Sequence, residues 1–179
     1  MLSYEEAWQT LNSAERLVSA GEIDAALDRL ADEISARLAK RCPLVLPVMS
    51  GAVVFSGQLL PRLAFPLELD YVHVTRYADT TRGGHLEWKA RPRASVRGRT
   101  VLILDDILDE GITLAAIRDG LRADGAEEVL CAVLADKRIG REKPIAADFI
   151  GFAVPDRYVF GFGMDVRGAW RNLPEIYAL

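Results

Sequence analysis

Val101-Leu102-Ile103-Leu104-Asp105-Asp106-Ile107-Leu108-Asp109-Glu110-Gly111-Ile112-Thr113-Leu114 is the stretch whose reading decides the fold of this chain. Thr100 to Leu104 is a β-branched, apolar run of the kind that forms central parallel strands, buried on both faces. The run ends in two adjacent carboxylates, Asp105 and Asp106, and passes through a small turn into Ile112 to Leu121, where apolar residues recur at helical spacing. Four acids in six residues, Asp105, Asp106, Asp109 and Glu110, need compensation. At a strand end, Asp105 and Asp106 can accept hydrogen bonds from vicinal hydroxyls or help hold a hydrated Mg²⁺, which keeps several waters and takes one or two carboxylates directly. Beyond them the backbone N–H groups of Glu110 to Leu114 open toward the first helical turn. Gly111 permits close approach and Thr113 adds a hydroxyl, so an anionic phosphate fits there. The two halves together suggest a sugar phosphate. GxxxxGK[ST] is absent and no GxGxxG follows the first strand, which removes the main support for a nucleoside triphosphate or dinucleotide site. Acids that only stabilise a helix dipole are the bland alternative, and adjacent carboxylates directly after a buried strand weigh against it.

Upstream, Leu44-Val45-Leu46-Pro47-Val48 reads as a short buried strand, and Ser50-Gly51 as a tight turn into a helix from Ala52 to Leu60. Ile23, Ala26, Leu27, Leu30, Ile34 and Leu38 fall at spacings of three and four, which makes the N-terminal segment 1–40 a helical packing element. Leu67 to Tyr77 and His85 to Ala90 read as two strands of a hairpin with a mobile tip over 77–84. Glu128 to Ala135 and Phe149 to Val154 supply two more strands. Strands alternating with helices predict an α/β fold, a mostly parallel sheet flanked by helices, with ligands beyond the carboxyl ends of the strands.

The chain has 179 residues, half of them hydrophobic, and a net charge of -4, enough for one substantial core in a single domain over 1–179. Its longest apolar runs are far below the roughly 20 residues that span a bilayer. The start Met1-Leu2-Ser3-Tyr4-Glu5-Glu6 has no basic targeting pattern, so the expected location is the cytoplasm, with no membrane partner. Cys42 and Cys131 stand far apart with no CxxC or Cys/His cluster and read as reduced structural thiols. The acidic balance argues against a dedicated nucleic-acid partner. One exception is local: Arg76, Arg82, Lys89, Arg91, Arg93, Arg97 and Arg99 face only Asp79 and Glu87 over 76–99, which reads as a solvated loop and hairpin in preference to an RNA surface.

The quoted stretch resembles the phosphoribosyl pyrophosphate signature of type I phosphoribosyltransferases, and within them the chain resembles the bacterial hypoxanthine-guanine enzymes. The likeness continues in the expected order through Val48-Met49-Ser50-Gly51, Thr75-Arg76-Tyr77, Ala135-Asp136-Lys137-Arg138 and Pro155-Asp156-Arg157-Tyr158-Val159-Phe160-Gly161-Phe162-Gly163-Met164-Asp165 to Trp170-Arg171-Asn172. It implies the type I fold with a small hood formed by the terminal segments. It implies purine salvage, transfer of a phosphoribosyl group from phosphoribosyl pyrophosphate to hypoxanthine or guanine with Mg²⁺, and a homodimer or homotetramer.

By the same resemblance Asp105 and Asp106 contact the ribose and metal, and Glu110, Gly111, Ile112 and Thr113 cradle the 5′-phosphate. Asp109 is the general base toward the purine, although capping the following helix would explain it too. Lys137 donates to the purine 6-oxo group, Tyr158 stacks on the base and the Val159 backbone reads its edge. Asp165 stands beside a second magnesium. Met49, Ser50, Gly51 and Arg171 take the pyrophosphate, and Arg76 and Tyr77 belong to a closing lid. Either Asp165 or Arg171 could instead serve a structural ion pair. Two residues depart from the family pattern: Met49 stands where a lysine is frequent, and Glu110 where Thr or Ser is frequent, so its side chain should point away from the phosphate. A cis non-proline bond is expected between Val48 and Met49. A xanthine-preferring transferase and an RNA-binding regulator on the same fold remain as alternatives.

Overall fold

A computed structural model describes residues 2–76 and 86–179. The N-terminal segment opens with helix α1 (Tyr4–Ser13), then strand β1 (Glu15–Val18) and helix α2 (Ala20–Leu38). Both helices begin at a serine whose hydroxyl caps the backbone N–H three residues on, while a glutamate there returns the bond: Ser3 with Glu6 and Ser19 with Glu22. Such reciprocal capping satisfies two orphan donors and fixes where each helix starts. The two differ in what they bury. α2 buries Ile23, Ala26, Leu27, Leu30, Ala31, Ile34 and Leu38, whereas α1 buries no residue. Each large aliphatic side chain removed from water stabilises by roughly 1.5–3 kcal/mol, so α2 is fixed by the core and α1 by something else.

After α2 come β2 (Leu44–Met49), α3 (Ala52–Leu59), a 3₁₀ turn, β3 (Glu68–Leu69), β4 (Val72–Arg76), β5 (Leu86–Ala90), β6 (Thr100–Leu108) and α4 (Ile112–Ala123). The chain ends with β7 (Glu128–Arg138), β8 (Phe149–Pro155), β9 (Val159–Phe160) and β10 (Ile176–Ala178). The main sheet runs β5-β4-β2-β6-β7-β8, with β3 paired to β2. All its pairings are parallel except β4 with β5. Apolar residues from its two faces feed two clusters. One centres on Phe55, Leu102 and Leu104 against α2; the other on Leu46, Ile103 and Cys131 against α4. Apart from this sheet, β1, β10 and β9 make a small antiparallel one. This is the expected α/β fold, with a hood built from both ends of the chain.

Three expectations need correction. Leu67 to Tyr77 is not one strand: β3 and β4 are separated at Asp70 and Tyr71, where the Asp70 carboxylate accepts from the backbone N–H groups of Tyr71, Arg93 and Ala94. The strand from Thr100 does not end at the carboxylates Asp105 and Asp106, because the ladder with β7 continues to Leu108 paired with Asp136. The cis peptide bond is Met49-Ser50, one residue later than expected, since Met49 is still paired with His73 at the end of β2. Tyr77 and the tip 77–84 lie outside the described residues, as does the Arg76 side chain.

Candidate active site

β6 carries the acids inside the sheet. Side chains alternate along a strand, so Asp105 and Asp106 leave β6 on opposite faces. Asp106 is only 8% exposed, and its backbone N–H donates to Asp105 Oδ1 at 3.0 Å. Burial holds the Asp105 carboxyl well above the usual carboxylate range, and the charge of Asp106 pushes it further. Burial also raises Asp106, although the hydrogen bond with Asp105, backbone donors and the Arg171 charge pull it part of the way back. Both carboxylates cannot ionise there without a cation or a set of donors to receive them.

Immediately after β6 the chain turns into an uncapped helix start, a geometry suited to an anion. Gly111 sits at φ +79° before α4, and no side chain caps that helix. Its first N–H groups therefore stay available to a ligand. Residues 105–114 line a cavity of about 370 Å³ in front of them. A side chain at Gly111 would press on Ile145 Cγ2 at 3.1 Å and Leu108 Cδ1 at 3.3 Å in a backbone conformation that L-residues rarely adopt. The Glu110 side chain is held by Arg141: its Oε1 accepts from Arg141 Nη2 at 2.5 Å.

Three chain segments meet over Asp106. A Cβ on Gly51 would overlap the Asp106 carboxylate, and one on Gly163 would overlap the Gly51 carbonyl oxygen. The loop Met49-Ser50-Gly51 can therefore reach the acids only because residues 51 and 163 lack side chains. Arg171 closes this seam, with Nη1 donating to the Gly163 carbonyl at 2.5 Å and Nη2 paired with Asp165 Oδ1 at 2.5 Å. The other Asp165 oxygen accepts from the Gly168 N–H at 2.7 Å.

On the far side of Asp109 lies a smaller cavity of about 220 Å³, lined among others by Asp109, Lys137, Tyr158, Val159, Asp165 and Arg171. Lys137, within β7 opposite Val154, is only 11% exposed and donates from Nζ to Asp109 Oδ2 at 2.7 Å, Asp109 itself being half exposed. Tyr158 is 52% exposed and so is not a core aromatic; its hydroxyl donates to the Asp165 carbonyl at 3.2 Å. Val159 is buried in β9 against Ala178. An open aromatic face, an edge of backbone and a lysine on a carboxylate make a slot suited to a flat heterocycle with a carbonyl group.

Some supports of the site gave no sequence signal. Lys143 and Asp136, 11% and 13% exposed, pair at 2.7 Å, and Lys143 also donates to the Leu108 carbonyl, tying the loop after β7 to the end of β6. They are 7 residues apart in chain; Asp136 was legible only as a member of the family pattern, and Lys143 belongs to no motif. Gly163 and Trp170 were legible only as members of the family pattern, with no role attached. Among the described residues no three His, Cys, Asp or Glu side chains converge as a metal cluster. Asp105 and Asp106 nevertheless fit magnesium, which binds oxygen ligands and leaves most positions to water and substrate phosphates. Asp165 fits less directly because both its oxygens are engaged. In the basic segment, Lys89, Arg91 and Arg99 pair with Glu87, Asp124 and Glu68, so these three charges are already engaged within the protein. No helix among the described residues is long and apolar enough to cross a membrane.

The phosphoribosyl transferase domain family matches residues 13–167. The bifunctional protein TilS/HprT of Listeria innocua is 38% identical over 161 residues, which are 89% of this chain and 25% of that protein, so the chain spans about a quarter of that relative. Hypoxanthine-guanine phosphoribosyltransferase of Bacillus subtilis is 35% identical over 164 residues, 91% of each chain. The crystal structure of a hypoxanthine phosphoribosyltransferase from Staphylococcus aureus superposes with a TM-score of 0.89 at 26% identity, covering 96% of this chain and 94% of that one.

Proposed function

This chain belongs to the phosphoribosyl transferase family, and from that premise we propose that it transfers the 5-phosphoribosyl group of phosphoribosyl pyrophosphate to hypoxanthine or guanine, releasing pyrophosphate in purine salvage. The observation that carries this reading is the adjacency of two sites around Asp109: an anion cradle at the start of α4 and a flat slot bearing Lys137, Tyr158 and Val159. A sugar phosphate held in the first presents its anomeric carbon toward a base held in the second.

In the reaction the purine nitrogen forms a bond to the anomeric carbon while the bond from that carbon to the pyrophosphate oxygen breaks. The base loses a proton, and Asp109 is the carboxylate positioned to take it. Before a base enters, Lys137 holds Asp109; a 6-oxo group gives the ammonium a new acceptor and frees the carboxylate for the proton. An exocyclic amine offers donors to a donor, so adenine is disfavoured. The Arg171 fork and the backbone of Met49, Ser50 and Gly51 receive the leaving group, and Asp105 and Asp106 orient the ribose hydroxyls. Magnesium, held by Asp105 and Asp106 with Asp165 nearby, would neutralise charge on the departing pyrophosphate. Arg76 and Tyr77 serve the lid in this reading, and the enzyme works in the cytoplasm as a homodimer or homotetramer.

The direct test supplies purified protein with phosphoribosyl pyrophosphate and Mg²⁺ and each of hypoxanthine, guanine, xanthine, adenine and uracil. Nucleotide from hypoxanthine and guanine is expected. Turnover of xanthine above both would reassign the base preference, and no product from any base would overturn the enzyme reading.

A further inference from the structure

α1 buries no residue, yet it is placed against the rest of the protein. Its contacts converge on one side chain. The Trp8 ring meets the Trp170 ring edge to face, centroids 4.9 Å apart and planes at 71°, and Tyr4 meets the other side of Trp8 at 6.3 Å. The Trp170 indole Nε1 donates to the Ala7 carbonyl at 2.8 Å.

Trp170 is held in an unusual conformation for a large residue, with φ +70°, and Arg167 lies at φ +50° in the same turn. Left-handed backbone at non-glycine residues persists where surroundings over-determine it. The next residue in chain is Arg171, whose carbonyl accepts from the Gly163 N–H at 2.8 Å and whose guanidinium spans Gly163 and Asp165. The turn that aims Arg171 is thus gripped from outside by a helix more than 150 positions away in sequence.

We infer that α1 is a clasp on the Trp170 turn, and that Trp8 is a positioning residue for Arg171 and so for binding of the pyrophosphate group. The inference rests on the reading of Arg171 as a pyrophosphate contact. Trp8 touches no part of the candidate site and acts only through Trp170. Its loss should weaken binding of phosphoribosyl pyrophosphate more than binding of the base, whose slot borders Asp165 and Arg171 but takes Lys137 from β7 and Val159 from β9.

The experiment compares wild type, Trp8→Ala and Trp8→Phe in full-length protein, with steady-state kinetics for both substrates and calorimetric titration of magnesium pyrophosphate. Trp8→Ala should raise KM for phosphoribosyl pyrophosphate and Kd for pyrophosphate roughly tenfold, equivalent to about 1.4 kcal/mol. It should leave KM for hypoxanthine and kcat within about twofold, and Trp8→Phe, which keeps an edge-to-face ring, should recover most of the loss. Unchanged KM and Kd in Trp8→Ala, or a parallel loss in kcat and both KM values without rescue by Phe, would overturn the clasp. Wild-type protein that binds pyrophosphate but makes no nucleotide would sink the transferase reading alone, and the titrations would still decide the role of Trp8.

Discussion

Most acids around the candidate site have a cation against them, and two do not. Asp109 faces Lys137, Glu110 faces Arg141, Asp165 faces Arg171 and Asp136 faces Lys143, all between 2.5 and 2.7 Å. Asp105 and Asp106, more deeply buried than Asp109 or Glu110, take part in no ion pair among the described residues, and Asp105 accepts from the Asp106 backbone N–H. The first group is already satisfied and must exchange partners to act. The second is only partly compensated, by backbone donors and the more distant charge of Arg171, and is sustained because β6 is locked between β2 and β7. A buried group that folding alone would not select points to a ligand.

The contrast breaks most sharply if the unpaired acids are removed. Asp106→Asn should lower kcat/KM for phosphoribosyl pyrophosphate by about 10²–10³-fold, the scale of losing one preorganised contact to the reacting centre. The same variant, and Asp105→Asn, should melt at a higher temperature than wild type at pH 7.5. The sign follows from the raised carboxyls: a native pKa above the unfolded one contributes stability below about pH 4 that is lost as pH rises through the native value. The gain in melting temperature should therefore vanish near pH 4, which thermal scans at both pH values would check. A fall in melting temperature at pH 7.5 would mean that the pair is structural.

The paired acids should behave in the opposite sense. Lys137→Met should raise KM for hypoxanthine by about 10–100-fold, and Asp109→Asn should slow turnover by about 10²-fold without abolishing it. The double variant should lose less than the two combined, because each single change leaves its partner stranded. Strict additivity in this kinetic cycle would show that the two never act together. The smallest effect belongs to Glu110→Thr: its pair with Arg141 is largely exposed, so stability should move by less than about 1 kcal/mol and KM for phosphoribosyl pyrophosphate by less than about threefold.

What the sequence disclosed follows the same division. Asp105 to Thr113 was legible because strand, acids, turn and helix are contiguous, and a local pattern reports local geometry. Lys137, Tyr158 and Arg171 stand singly, and each would pass for a solvated or core residue; only the order of motifs marked them. The Lys137 and Asp109 pair joins residues 28 apart, and the grip of Ala7 on Trp170 joins residues 163 apart, distances at which periodicity carries no information. The break at Asp70 was hidden for another reason: the side chain there collects three backbone donors, a feature that leaves the apolar alternation unchanged. The hood was anticipated through family likeness, since neither β1 nor β10 is long enough to announce itself in composition.

The unbroken run of β6 through Asp105 and Asp106 has a consequence in time. Paired with β7 from Thr100 to Leu108 and with β2 from Val101 to Leu104, it is expected to be among the segments whose amides exchange with solvent only on global opening, whereas α1, which buries no residue, is expected to open locally. The two carboxylates would thus be presented on a slow-opening surface, and adjustment to an arriving molecule would fall mainly to the segments around them.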